Sequence, residues 1–98
     1  MIRNKIQYEV FPITMDMINA GLKGNFLVVY AYLSNRCIYS GKGCYDEGMD
    51  NLAKKLKLTP PTIYNVIRYL CKAGYLKKKY YYDENNIKRC RLFVNEED

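Results

Sequence analysis

Hydrophobic residues recur at helical spacing in two stretches of the second half of the chain. Residues 49–56 place apolar side chains at i, i+3, i+4 and i+7, which predicts a short amphipathic helix with its lysines outside. Residues 61–73 repeat this spacing, and their inner stripe consists of Ile63, Val66, Ile67 and Leu70. The two stretches therefore predict two short helices separated by a tight turn.

The residues around the second of these helices carry signals for its start and its end. The hydroxyl of Thr59 is suited to accept a free N–H of the first turn, and the prolines that follow have no intrahelical N–H partner to lose. Pro61 disfavours α geometry at Pro60, so the predicted start lies at either residue. Leu58 is expected to be a buried turn residue, and Gly74 is expected to end the helix in a left-handed conformation.

The first half of the chain predicts an arm and two further helices. Residues 1–12 alternate apolar and polar side chains weakly and end in a proline, which predicts an N-terminal arm. Residues 13–20 predict a brief helix that stops at Gly21. The run 26–33 is apolar on nearly all sides and, continued to residue 37, favours a central core helix over the alternative of a buried strand.

After Gly74 the hydrophobic pattern becomes strand-like. Residues 75–82 and 87–94 flank the Asp/Asn-rich group 83–86, which predicts a β-hairpin. The apolar residues placed at the base of this hairpin are Leu76, Leu92, Phe93 and Val94. Cys44 and Tyr45 predict one further, very short extended segment. The predicted fold class is therefore mainly α with a small β-hairpin (α+β), as one domain at 13–94 between the arm at 1–12 and an acidic tail at 95–98.

The positive charge of the chain is concentrated in its second half. The formal net charge is +6, but residues 52–91 hold eleven Lys or Arg against two acidic residues, which gives this stretch +9. A local excess of this kind favours an anionic partner. Nucleic acid is the first candidate, and a membrane surface or an acidic protein comes after it.

Composition restricts the chemistry that this chain can perform. The sequence contains no His, which removes the commonest general base and metal ligand, so we expect no enzyme activity and no cofactor. A metal site would require the carboxylates of Asp46, Glu47 and Asp50 to converge. The favoured interpretation of this acidic cluster is a solvated loop followed by a helix N-terminus, which favours negative charge. The four cysteines form no short ligand pair, so buried free thiols are favoured over a disulfide or a zinc site.

The apolar runs also bear on localisation and on ligand binding. The longest run, 26–33, is about half of what a bilayer span requires, and residues 1–12 lack the core of a secretion signal, so the chain is expected to be cytoplasmic with no membrane partner. Four tyrosines at or near the core helix are expected to pack in the core, with an aromatic ligand pocket as the alternative. These residues are Tyr30, Tyr32, Tyr39 and Tyr45.

The order of elements and several short motifs resemble a winged helix-turn-helix domain. The motifs are the Leu-Ala-x-x-Leu pattern of 52–56, Leu58-Thr59, Thr62-Ile63-Tyr64 and Ala73-Gly74-Tyr75-Leu76. The upstream segment 28–33, followed by a loop and Cys44-Tyr45, is similar to the N-terminal helix-turn-helix domains of phage and plasmid replication proteins. Bacterial transcription regulators share the architecture. Pro60 and Pro61 depart from the pattern, because relatives often carry polar or basic residues there.

The resemblance implies binding to double-stranded DNA through the second helix of the motif and through the hairpin, called the wing below. Asn65 is suited to pair with adenine and Arg68 with guanine or a phosphate. The expected recognition-helix contacts are Thr59, Thr62, Tyr64, Asn65, Arg68 and Lys72. The expected contacts of the supporting helix and the wing are Lys54, Lys55, Lys77, Lys78, Lys79, Lys88, Arg89 and Arg91. Protection of an edge strand is the alternative role for the wing lysines.

These observations lead to one functional hypothesis and one alternative. The hypothesis is sequence-specific DNA binding by a phage- or plasmid-type replication or transcription regulator. The alternative is a protein-interaction adaptor that uses the same scaffold without DNA. Apolar residues in the arm and the first helix exceed what a small domain covers, which predicts a homodimer through that surface. Tyr80, Tyr81 and Tyr82 are expected to divide between packing and surface, with base stacking of single strands as a minor alternative.

Overall fold

The computed structural model describes residues 11–94 and shows four helices followed by a two-stranded hairpin. The helices are α1 (Met15–Asn19), α2 (Gly24–Tyr39), α3 (Met49–Leu56) and α4 (Pro60–Lys72), and the strands are β1 (Leu76–Tyr82) and β2 (Lys88–Val94). The predicted fold class is confirmed: the chain is mainly helical with a small antiparallel hairpin. The predicted acidic tail and the first ten residues of the predicted arm lie outside the described residues.

The first two helices differ from the predicted ones at their ends. Helix α1 begins at Met15 because Thr14 is its N-cap and accepts the N–H of Met17 at 3.2 Å. Helix α2 begins two residues before the predicted start and runs two residues past the predicted end, and the strand alternative is wrong. The two residues added at the C-terminal end include Tyr39, whose surface is 75% exposed. The prediction that Tyr39 packs in the core is therefore also wrong.

The core lies where α2 crosses the inner stripe of α4. Val29 and Leu33 of α2 are fully buried, and so are Ile63, Ile67 and Leu70 of α4, as the spacing predicted. Leu52 of α3 and Leu92 of β2 complete the set of fully buried large side chains. Burial of each such side chain stabilises the fold by about 1.5–3 kcal/mol, so these residues fix how α4 is presented to solvent.

A third, single-residue strand connects the loop after α2 to the hairpin. Tyr45 pairs with Leu92 through two backbone hydrogen bonds of 2.8 and 2.9 Å, which confirms the predicted extended segment. The Tyr45 hydroxyl donates to the carbonyl of Gly48 at 3.0 Å, which ties this loop to the start of α3. Strand β2 therefore lies between Tyr45 and β1, and β1 is the free edge of the sheet.

The turn between α3 and α4 spans three residues. Lys57 has the left-handed φ of +60°, and the N–H of Leu58 donates to the carbonyl of Ala53 at 2.9 Å. Leu58 packs against the core but is half-buried, so the prediction of a buried turn residue is only partly met. Gly74 has φ +91° after α4, as predicted. Lys57 and Gly74 thus follow the C-terminal ends of α3 and α4, respectively.

Candidate nucleic-acid interface

Helix α4 starts with a hydroxyl cap and presents a polar face to solvent. Thr59 is the N-cap: its Oγ1 accepts the N–H of Thr62 at 3.4 Å, and the two hydroxyls are 2.9 Å apart. Pro60 and Pro61 occupy the first turn, where an N–H has no helical partner. Because the cap and the prolines fix the first turn, the residues that follow have a defined orientation.

The solvent-facing stripe of α4, called the outer face here, comprises residues at spacings of four, three and four. These residues are Pro61, Asn65, Arg68 and Lys72, and all four are exposed. Within the stripe, Arg68 Nη1 donates to Asn65 Oδ1 at 3.1 Å. The outer face therefore presents a linked amide and guanidinium near its middle and a lysine near its C-terminal end.

Three other predicted or neighbouring residues of α4 lie to either side of the outer face. Tyr64, 47% exposed, borders a groove shared with the wing. Thr62 is half-buried on the opposite side, where the ring of Tyr69 contacts that of Phe26 with centroids 4.8 Å apart. Thr62 and Tyr64 thus lie on opposite sides of the outer face, whereas the sequence predicted that both belong to one DNA-contacting surface.

The supporting helix α3 adds two of the predicted lysines. Lys54 and Lys55 lie in its last turn and are exposed, while Leu52 and Ala53 face the core. Lysines in the last turn of a helix also complement its negative dipole end. Their charge therefore has a structural role in addition to any contact with a partner.

The strand register divides the wing side chains between two sides. Leu76 pairs with Val94 and Tyr82 with Lys88, and side chains alternate along each strand. The inner side, whose base is buried against the helices, consists of Leu76, Lys78, Tyr80, Tyr82, Lys88, Cys90, Leu92 and Val94. The outer side consists of Lys77, Lys79, Tyr81, Arg89, Arg91 and Phe93. The predicted wing cations are therefore split, two on the inner side and four on the outer side.

Aromatic rings hold several of these cations in place. The guanidinium carbon of Arg91 lies 3.9 Å from the centroid of the Tyr81 ring, and Lys88 Nζ lies 4.4 Å from that of Tyr80. Lys79 Nζ is 5.5 Å from the Phe93 ring. Such cation–π contacts contribute about 0.5–1 kcal/mol each at exposed sites. The tyrosines of the wing thus order the basic side chains along its strands.

The turn of the wing is held by Asp83, a residue that sequence reasoning did not assign to the site. Its carboxylate accepts the N–H groups of Asn85 and Ile87 at 2.9 Å each and the Nε–H of Arg89 at 2.9 Å. The hydrogen bond from the Ile87 backbone, followed by that from Arg89, lowers the pKa of the Asp83 carboxyl. An Asp at the start of an Asn-containing turn is a recognisable turn signal, although its pairing with Arg89 is not visible in the sequence.

A groove of about 340 Å³ lies between strand β2 and the segment that leads into α3. Its lining includes Lys88, Arg89 and Cys90 of β2, Tyr64 of α4, and the acidic residues Asp46, Glu47 and Asp50. One cation from each side of the wing therefore shares this groove with three carboxylates and one residue of α4.

The acidic residues and the thiols of the described part form no metal site. Asp46 pairs with Lys42 at 3.3 Å and Glu47 with Arg36 at 2.9 Å, and within 11–94 no group of three His, Cys, Asp or Glu is positioned to hold an ion. The four cysteines are free thiols. Cys37 and Cys44 are buried, whereas Cys71 and Cys90 are half-buried, less than predicted. Burial raises the pKa of the Cys37, Cys71 and Cys90 thiols.

The length and apolar content of the helices bear on whether they can span a membrane. No helix within the described range combines the length and the apolar content that crossing a membrane requires. Helix α2, the longest, has 16 residues and carries Asn25, Asn35 and Arg36.

The fold is similar to that of a solved structure. A possible transcriptional regulator from Methanosarcina mazei Go1 matches with a TM-score of 0.62 and 19% sequence identity over 84% of this chain. The chain spans 65% of the length of that protein. No family model matches the sequence, and no curated protein matches it. The similarity establishes an α+β fold, mainly helical with a small antiparallel hairpin.

Proposed function

We propose that this chain is a sequence-specific double-stranded DNA-binding domain, acting as a phage- or plasmid-type replication or transcription regulator, and that it is not an enzyme. The observation that carries the proposal is the outer face of α4, where Asn65, Arg68 and Lys72 are exposed beside a basic wing. An α-helix fits the roughly 12 Å wide major groove, and these side-chain types hydrogen-bond to base edges and phosphates.

The distribution of charge supports the same partner. Apart from Arg89, which pairs with Asp83, the predicted cations of the wing and of α4 have no carboxylate within salt-bridge distance among the described residues. By contrast, Arg36 and Lys42, at the far end of α2 and in its following loop, are ion-paired. Within residues 11–94, most of the positive charge of α4 and the wing is thus not paired with a carboxylate. The structural similarity to a possible transcriptional regulator supports the regulatory role.

Binding to labelled duplex DNA at increasing salt tests the proposal. With about six phosphate contacts, affinity is expected to fall by about 2,000-fold between about 50 and 200 mM salt, because each contact releases counterions. The variant Arg68→Ala/Lys72→Ala, which lowers the net charge from +6 to +4, is expected to bind more weakly than the native chain.

A variant of equal charge provides the control. Lys23→Ala/Lys42→Ala also lowers the net charge from +6 to +4, but it removes lysines outside the proposed interface. It is expected to bind nearly as well as the native chain. If the native chain binds no duplex even at low salt, the DNA-binding proposal fails and the adaptor function takes its place. If the two variants weaken binding equally, the outer face of α4 is not the interface.

The homodimer belongs to this proposal as well. In α1 and the residue before its cap, Ile13, Met15 and Ile18 are 46%, 65% and 47% exposed, which leaves an apolar surface next to the predicted arm. We expect Met15→Glu/Ile18→Glu to shift the mass measured by light scattering from dimer to monomer. A native chain that is monomeric both free and on DNA would contradict this part alone.

A further inference from the structure

We infer that Arg68 reads a guanine in the major groove and that Asn65 is a positioning residue that holds its guanidinium. The inference rests on the proposed DNA-binding function and deepens it. Asn65 and Arg68 lie one turn apart on the outer face of α4, and both are exposed. The hydrogen bond from Arg68 Nη1 to Asn65 Oδ1, 3.1 Å long, joins them into one unit.

The helix under this pair is rigidly placed. Val66 and Ile67, the two residues between them, are buried in the core with exposures of 3% and 0%. The backbone of this turn therefore has a fixed position against α2. A side chain supported from such a turn loses less conformational entropy on binding, which favours a defined contact.

The hydrogen bond to Asn65 leaves the fork of Arg68 available. A guanidinium has five N–H donors and Asn65 occupies one of them, so four remain. Guanine offers two acceptors, O6 and N7, side by side in the major groove, and a bidentate arginine is the commonest specific contact to them. The geometry therefore matches Arg68 to guanine.

The other described arginines are committed elsewhere. Arg36 pairs with Glu47, Arg89 pairs with Asp83, and Arg91 stacks on Tyr81. For Arg68, no carboxylate of the described residues lies within salt-bridge distance, and its partner is a neutral amide. A neutral partner orients the guanidinium without cancelling its charge.

The same contact argues against Asn65 as an independent reader of adenine. Bidentate pairing with adenine requires Oδ1 to accept from N6 and Nδ2 to donate to N7 in one plane. In this structure Oδ1 is directed at Arg68. The arrangement therefore favours guanine recognition by Arg68 over adenine recognition by Asn65.

Selection of bound duplexes from a random pool, followed by sequencing, tests the inference on the 98-residue chain. The native chain is expected to give a motif that contains a guanine position. Arg68→Ala and Arg68→Lys are both expected to lose the preference at that position by about 5- to 150-fold and to keep the others, because lysine retains the charge but lacks the fork.

The Asn65→Ala variant separates positioning from direct reading. It is expected to weaken the same guanine position and to leave adenine positions, thermal stability and the salt dependence of binding unchanged. If Asn65→Ala instead removes an adenine position, Asn65 is a reader and the positioning role is wrong. If Arg68→Ala lowers affinity for all sequences equally, Arg68 contacts a phosphate and the inference is overturned.

The selection also distinguishes this inference from the proposed function. A native chain that enriches a motif without a guanine position overturns the inference and leaves sequence-specific DNA binding intact. A native chain that binds no duplex, or that enriches no sequence, overturns both.

Discussion

The two sides of the wing are expected to contribute unequally to DNA binding. Lys78 and Lys88 belong to the inner side: Lys88 lines the groove together with Tyr64 of α4, and the charge of Lys78 acts on the thiol of Cys71 in α4. Lys77 and Lys79 belong to the outer side and point away from the helix. A duplex held against the outer face of α4 therefore meets the inner side of the wing. Replacing Lys78 and Lys88 by alanine should remove two phosphate contacts.

The size of this effect follows from counterion release. Each phosphate contact adds about 0.9 to the slope of log affinity against log salt, so two contacts change the slope by about 1.8. With six contacts, a fourfold rise in salt lowers affinity by about 2,000-fold, and with four contacts by about 150-fold. The two cases differ by more than tenfold, which a binding titration resolves.

Fluorescence anisotropy of a labelled duplex at several salt concentrations measures these slopes. The matched variant Lys77→Ala/Lys79→Ala has the same net charge and removes two lysines of β1 from the outer side, and its slope should stay close to that of the native chain. Thermal melts of both variants check for loss of the contact between Lys88 and the Tyr80 ring, 4.4 Å apart. Equal slopes for the two variants, or a larger change for Lys77→Ala/Lys79→Ala, would refute the assignment of sides.

Two further predictions concern the scaffold. Leu33→Ala opens a cavity at a fully buried position of α2 and should lower the free energy of unfolding in urea by about 3–5 kcal/mol. Val28→Ala, at an exposed position of the same helix, should lower it far less, and similar losses for the two variants would contradict the placement of the core. The pKa of Asp83 is lower in the folded than in the unfolded chain, so its stabilisation of the wing turn is present above its unfolded pKa and is lost as pH falls through its folded pKa. The protection of the Asn85 and Ile87 amides against exchange, relative to the intrinsic rate at each pH, should therefore fall in acid in the native chain but show no such step in Asp83→Asn. The same acid step in both proteins would exclude Asp83 as its origin.

The helical pair was predictable because its signals are local. The spacing of Ile63, Val66, Ile67 and Leu70 admits one helix face, and the cap at Thr59 and the glycine at 74 mark its ends. The hairpin was predictable for the same reason, since a turn signal separates two β-prone runs. The same periodicity placed Asn65, Arg68 and Lys72 on one exposed face, but the sequence did not separate Thr62 and Tyr64 from it.

Other features were not predictable because they depend on contacts between distant segments. The exposure of Tyr39 depends on where the core ends, which the local pattern of α2 does not show. Strand alternation divides the wing side chains between two sides but does not show which side faces the helices. The burial of Leu76 and Leu92 in the core decides this. The half-buried state of Cys71 and Cys90 has the same origin.

The sequence by itself determined the order of elements, the fold class and the concentration of positive charge after residue 51, since hydrophobic period, caps and composition are properties of neighbouring residues. Only the tertiary structure decided which cations are compensated. Arg36 of α2 pairs with Glu47, in the loop before α3, at 2.9 Å, and this contact requires two separate segments to come together. Packing brings such segments together, because burial of the inner stripe of α4 and the base of the wing fixes how the helices and the hairpin are placed.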